Sequence, residues 1–425
     1  MSASNPKLRG RENAQSSLYP FYAGFSEDFA RSALSSAELE AGDWVLDPWN
    51  GSGTTVSAAA SLGVSSRGYD LNPVMVVVAK ARCADAPDRS SIRSLSSEIL
   101  RLAKKGDPGN SHDPLSAWLY PESVATLRGI EAGVQRLLVG RPEYASLRTL
   151  GVDGLSGVAA FFYVALFRTL RHVLRPFFCS NPTWIKRPRS GQSRLRPGAE
   201  GLYELYRFQL ATMLDRLPAE CSRSARAKKH IAVASSENLP LRSGSVSCVL
   251  TSPPYCTRID YAVATSPELA VLGFELDSEF DGLRRQLIGT PTVPPGNPEP
   301  ASDLGKSCLK FLDSLLRHGS KASSTYYYKN HVQYFLSIRA SLVEIRRVLK
   351  PSGWCVIVVQ DSYYKDIHND LPVILGDMAL AHGFRLIEKT DFHLSRTLAG
   401  INPGSKGYRR SFSATETVLS LRSVS

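Results

Sequence analysis

The chain has 425 residues, 43% of them hydrophobic and 21% charged, with a formal net charge of +12. That apolar content suits a sizeable core and excludes a disordered or fibrous chain. The seven cysteines are odd in number and scattered without a CxxC pair, which excludes a disulfide framework or zinc cluster as the organising device and fits a reducing cytosol.

The first ten residues, MSASNPKLRG, are polar and lack the apolar stretch of a signal peptide. The longest apolar run, Val158 to Phe167, is too short to span a bilayer. A cytoplasmic protein with no membrane partner is expected. Ser26 can cap a helix running through Phe29, Ala33 and Leu34. Trp44 to Leu46 predicts a short buried strand that ends at Asp47-Pro48. A Gly-rich turn follows, Asn50-Gly51-Ser52-Gly53, and Thr54 to Leu62 is small, apolar and helix-compatible, stopped by Gly63. A second strand ends at Gly68-Tyr69-Asp70, and Pro73 opens another helix at its first position. Strand, turn, helix, strand, helix is how a parallel α/β sheet begins.

From about Cys83 to Lys229 the pattern changes. Helical periodicity runs over Ser123–Leu138 and Leu155–Leu174, and no convincing strand separates them. Pro176 to Pro197 is rich in Arg, Pro and Ser and predicts an exposed loop. Between Arg168 and Lys229 fourteen Lys and Arg stand against four Asp and Glu, so ten of the twelve net charges sit in this one stretch. Such a patch is either the footprint of a nucleic-acid binder or a solvated surface. The α/β pattern then resumes, with strands at Ile231–Ala234, Val246–Leu250 and Trp354–Val359. Helices are predicted at Asn330–Leu349 and Leu371–His382, a Pro/Gly loop at Gly289–Pro300, and closing antiparallel strands at Phe384–Glu388 and Thr415–Leu421. The expected division is 19–84 as the first part of a catalytic domain, 85–229 as a helical basic insertion, and 230–425 as the second part.

Three segments carry chemistry. Asp47-Pro48-Trp49-Asn50-Gly51-Ser52-Gly53-Thr54-Thr55 lies between a strand and a helix. Its glycines let backbone approach a ligand, and the helix N-terminus offers free N–H groups to a carboxylate. Asp70 ends the second strand, where an acid accepts hydrogen bonds from ribose hydroxyls; alone, it would serve equally as a helix cap. Thr251-Ser252-Pro253-Pro254-Tyr255 follows a strand directly. Two prolines fix φ twice and remove two donors, leaving a rigid turn whose carbonyls point outward as acceptors. Transfer to an aromatic amine needs such acceptors, because its lone pair is delocalised into the ring. Holding both amino hydrogens at Ser252 and the Pro253 carbonyl makes the nitrogen available, and Tyr255 would stack on the base.

Together DPWNGSGTT, GYDLNP and TSPPY resemble the amino-methyltransferases that modify cytosine N4 or adenine N6 in DNA. The resemblance covers roughly residues 19–84 and 230–421. It implies a Rossmann-like class I S-adenosylmethionine-dependent methyltransferase sheet with a helical insertion. It implies S-adenosylmethionine as cofactor, held by Asp47, Gly51, Ser52, Gly53 and Thr54, with Asp70 on the ribose. Ser252, Pro253, Pro254 and Tyr255 become the catalytic turn. Tyr22 belongs to a segment similar to the family's extra cofactor motif. Ser235 stands where the family has an acid at the cofactor's adenine, and Glu237 is the substitute. The serine before the prolines is the form usual in cytosine-N4 enzymes, so site-specific N4 methylation is expected. Adenine-N6 transfer, an RNA base N-methyltransferase and a non-catalytic DNA-binding module are the rivals. The partner implied is DNA with a flipped base, alongside cognate restriction or defence proteins. Arg171, Arg175, Lys186, Arg187, Arg189, Arg194 and Arg196 are candidate phosphate contacts. The insertion and the loop Arg284–Ser307 are candidates for sequence recognition, and Asp260-Tyr261 either lines the base pocket or merely packs. No metal is expected.

Overall fold

The computed structural model describes residues 5–7, 18–19, 24–84, 89–104, 112–179, 185–188, 193–216, 227–256, 259–293, 296, 298–394 and 414–424. Its frame is a seven-stranded sheet. β1 (Trp44–Asp47), β2 (Ser65–Asp70), β3 (Lys229–Val233), β4 (Val246–Thr251) and β5 (Leu349–Gln360) are parallel. β6 (Ser362–Tyr364) and β7 (Ile367–Asn369) form a separate hairpin. β8 (Phe384–Leu394) and β9 (Ala414–Ser423) close the main sheet, with β9 antiparallel between β5 and β8. The order is β3-β2-β1-β4-β5-β9-β8. This is the Rossmann-like class I methyltransferase sheet that the sequence led us to expect.

The order reverses between β1 and β4, where β1 pairs with β2 on one side and β4 on the other. A crevice opens at the carboxyl ends of strands around such a reversal. The chain places the Gly-rich turn after β1 and the Pro-Pro turn after β4, so both motifs meet there for topological reasons.

Successive strand residues point to opposite faces, and the two faces are apolar for different partners. Val45, Cys248, Leu250 and Val356 pack on the helices Glu27–Ser35 and Thr54–Ser61. Leu46, Tyr69, Val249, Cys355 and Ile357 pack on the helices Lys306–Arg317, Tyr328–Val348 and Leu371–Ala381. Local signals start the helices as expected. Ser26 accepts from Phe29 N–H, and Pro73 stands in the first turn of the helix Pro73–Arg82; the cap of that helix is Asn72, not the Asp70 that the sequence offered.

Among the described residues between β2 and β3 there is no named strand, only helices, turns and isolated bridges. The helix Gly157–Val173 lies on Pro73–Arg82, and a Cβ at Gly157 would stand 2.7 Å from Ala84 Cβ. That close approach merges the helical segment with the core of the cofactor half. The helices Arg89–Ala103, Ala199–Asp215 and Lys306–Arg317 are additions to the sequence reading. The loop predicted over Pro176–Pro197 lies partly outside the described residues. No described helix is long and apolar enough to cross a membrane.

Candidate active site

One cleft opens at the carboxyl ends of β1, β2 and β4. Asp47, Gly51, Ser52, Thr54, Asp70 and Ser235 line it beside Ser252, Pro253, Pro254 and Tyr255. The two motifs, some two hundred residues apart in the chain, therefore share a single cavity.

The glycine turn is shaped for this position. Gly51 and Gly53 take positive φ, +47° and +81°, and Gly53 is the left-handed cap of the helix Thr54–Ser61. A Cβ on Gly53 would lie 2.9 Å from Ala79 Cβ, so the residue packs inward, and it is absent from the cleft lining. No side chain caps this helix, which leaves its first N–H groups for a ligand carboxylate. Arg82 steadies the turn by donating to Ser52 and Thr54 hydroxyls at 3.3 and 3.0 Å.

Asp70 accepts from Gly51 N–H and Asn72 N–H, each at 2.9 Å. These bonds clamp β2 to the turn and leave the carboxylate's remaining lone pairs at the cleft. Burial raises its pKa to about 6, with the nearby Asp47 charge adding to the effect. The carboxylate is ionised above pH 6 and gains a proton as pH falls through that value. For the ribose contact expected of Asp70, a neutral acid is the weaker acceptor. Affinity for S-adenosylhomocysteine should therefore fall several-fold between pH 7.5 and 5.5. Calorimetry across that range checks this, and Asp70→Asn should flatten the dependence.

Asp47 has a second place besides the cleft wall. It is 3% exposed, and both carboxylate oxygens are engaged, by the hydroxyls of Thr251 and Thr55 at 2.6 Å each. Thr55 also donates to the Leu250 carbonyl. Asp47 thus ties the glycine turn to the strand that delivers the Pro-Pro turn, while it also lines the cleft. Burial raises its pKa to about 6 as well.

The Pro-Pro turn presents Ser252 to the cleft with its hydroxyl bound to no other described residue. The Pro254 carbonyl is already taken, accepting from Tyr334 Oη at 3.0 Å. Tyr255 N–H donates to Tyr261 Oη at 3.1 Å. The cleft continues to Tyr261, Gln286, Leu287 and Ile288, so the expected recognition loop begins on its wall. Asp260 packs instead: it caps Val263 N–H and pairs with Arg284 at 2.6 Å.

Other expected contacts lie elsewhere. Tyr22 is outside the described residues. Glu237 is not in the cleft lining; its carboxyl turns to Ser337 on the helix Tyr328–Val348, while its N–H donates to Ser235. Arg171 cannot hold a phosphate, because it is buried against Glu268, the Ala264 carbonyl and the face of Tyr19. Arg187 bonds the Leu276 carbonyl and Asp277. Arg175, Lys186, Arg194 and Arg196 are exposed, and Arg189 lies outside the described residues. Trp49, Asn72, Met75 and Gln286 also line the cleft. Trp49 and Asn72 sit inside motifs already recognised and Gln286 inside the expected recognition loop, whereas nothing in the sequence marked Met75 or the partner role of Tyr334. Among the described residues no cluster of His, Cys, Asp and Glu could hold a metal.

Residues 5–81 match the family described as DNA methylase. The Type II methyltransferase M.AvaI of Nostoc sp. (strain PCC 7120 / SAG 25.82 / UTEX 2576) is 23% identical over 403 residues, which cover 87% of this chain and 78% of that protein. The Type II methyltransferase M.BsoBI of Geobacillus stearothermophilus is 24% identical over 280 residues, covering 59% of this chain and 51% of its own. These matches support the amino-methyltransferase family. The family match spans the Gly-rich turn and Asp70, while the M.AvaI alignment runs over most of the chain. Among solved structures, a SAM-dependent methyltransferase from Methanosarcina mazei aligns with 92% of this chain and 97% of its own, at 9% identity and a TM-score of 0.32.

Proposed function

We propose that the chain is a site-specific DNA methyltransferase that transfers a methyl group from S-adenosylmethionine to the exocyclic N4 amino group of cytosine. The observation that carries this is the shared cleft, which joins an uncapped helix N-terminus and Asp70 to an outward-facing Ser-Pro-Pro-Tyr turn.

The cofactor's chemistry is an electrophilic methyl on a sulfonium. The residues present fit it: the open N–H groups of Thr54–Ser61 suit its carboxylate, and Asp70 suits its ribose. On the base side, Ser252 Oγ and the Pro253 carbonyl accept the two amino hydrogens. The Pro254 carbonyl is instead engaged by Tyr334. That leaves a pair of acceptors on one rigid turn, which orients the nitrogen lone pair toward the cofactor side. Tyr255 stacks on the ring. The base must leave the duplex to reach this cleft. The exposed Arg175, Lys186, Arg194 and Arg196 would contribute the phosphate attraction that makes binding salt-dependent.

The choice of cytosine rests on the serine at position 252. A place beside a cognate nuclease in restriction–modification follows from the kind of relatives the chain has. The test is radiolabelled S-adenosylmethionine with unmethylated duplex DNA, single-stranded DNA and transfer RNA, followed by nucleoside identification. N4-methylcytosine from duplex DNA is the expected product. N6-methyladenine would move the target to adenine, and label in transfer RNA or in no substrate would overturn the reading.

A further inference from the structure

The Pro254 carbonyl and the Tyr255 N–H are two ends of one peptide group. Each end is held by a different tyrosine hydroxyl, at 3.0 Å from Tyr334 and 3.1 Å from Tyr261. The two tyrosines come from separate elements. Tyr334 is 2% exposed within the helix Tyr328–Val348, and Tyr261 opens the short helix just after the turn.

We infer that Tyr334 and Tyr261 are paired positioning residues that lock this peptide plane, and with it the Tyr255 ring and the catalytic face of the Pro-Pro turn. The inference rests on the function proposed above. A peptide unit is planar, so its orientation depends on the two flanking dihedrals alone. The proline ring already fixes φ at Pro254. The soft angles left are ψ of Pro254 and φ of Tyr255. Rotation about either would break one of the two tyrosine bonds, so together they remove the last freedom of the turn. The next carbonyl is enclosed too: a Cβ at Gly289, which has φ +82°, would lie 2.6 Å from Tyr255 O. Burial keeps the Tyr334 hydroxyl protonated and able to donate. Neither hydroxyl is needed to reach the amine. Their action runs through the turn, whose misplacement by an ångström is enough to lower turnover.

The experiment compares Tyr334→Phe, Tyr261→Phe and the double variant of the full chain on unmethylated phage DNA, with S-adenosylhomocysteine affinity and thermal melting as parallel readouts. Each single variant should lose about tenfold or more in kcat while cofactor-product affinity stays within about threefold. Because both bonds hold one plane, the double variant should sit within about threefold of the worse single one. Losses that multiply, a kcat of Tyr334→Phe within about twofold of the parent, or affinity that falls in step with kcat would each overturn the pairing. The parent enzyme's own transfer to DNA is measured first. If it is absent, the proposed function fails; if it is present and the variants match it, only the positioning role fails.

Discussion

Ser252→Ala is expected to lower kcat by about a hundredfold, with S-adenosylhomocysteine affinity nearly unchanged, the loss typical of deleting one preorganised polar group at a reacting centre. Ser252 lines the cleft beside Pro253, and among the described residues its hydroxyl is committed to no other bond. In the proposed mechanism its removal takes away one of two acceptors for the amino hydrogens and leaves the glycine turn untouched. The turn should also keep its shape, because its supports lie elsewhere. Thr251 is tied to Asp47, the Pro254 carbonyl to Tyr334, and the Tyr255 N–H to Tyr261. A group acting in the transition state shows itself as a fall in kcat at constant ground-state binding. Steady-state kinetics with calorimetric cofactor titration separates the two. Cofactor affinity falling together with kcat would place Ser252 in the wrong half of the cleft.

What the sequence revealed depended on whether a feature was local. The turn after β1, the proline at position 73 and the rigid Pro-Pro step are all set by neighbouring residues, and all appear where expected. The hydrophobic helix Gly157–Val173 was equally plain, since nearly every position along it is buried. Arg89–Ala103 was missed because its apolar residues are spaced among serines and arginines and gain meaning only against Pro121–Val134. Long-range partners were beyond reach for the same reason. Asp47 is readable as a cleft residue from its motif; only the threonine from β4 shows that it is also a bracket. Arg171 looked like a phosphate contact within a basic run; only Glu268, ninety-seven positions later, shows where its charge goes. Composition counts charges but does not reveal which of them meet inside the fold.

The second large effect belongs to that hidden electrostatics. Arg128→Ala is expected to cost about 3–5 kcal/mol of stability, the penalty for stranding a buried carboxylate. Arg128 lies on the helix Pro121–Val134 and is 8% exposed. Its guanidinium bonds Asp113 at 2.7 and 3.0 Å, meets the fully buried Glu131, and donates to the Ala270 and Val271 carbonyls. Burial alone would disfavour the cation, but the two carboxylates outweigh it and hold its pKa above the ordinary guanidinium value. Glu131 also accepts from Tyr144 and Tyr163 at 3.1 Å each, so its charge is well solvated only while the arginine is present. Without it, Glu131 is a buried anion with two hydroxyl donors and no cation, and the end of the helix Ser266–Val271 loses its donor. Asp113 is less exposed to this, since it keeps the Leu115 N–H. Charge rather than volume is the cause, so Arg128→Met with Glu131→Gln should recover most of the loss. Chemical denaturation of the three proteins checks it. A double variant no more stable than Arg128→Ala would mean that the arginine's packing and carbonyl bonds, and not the stranded carboxylate, set the cost.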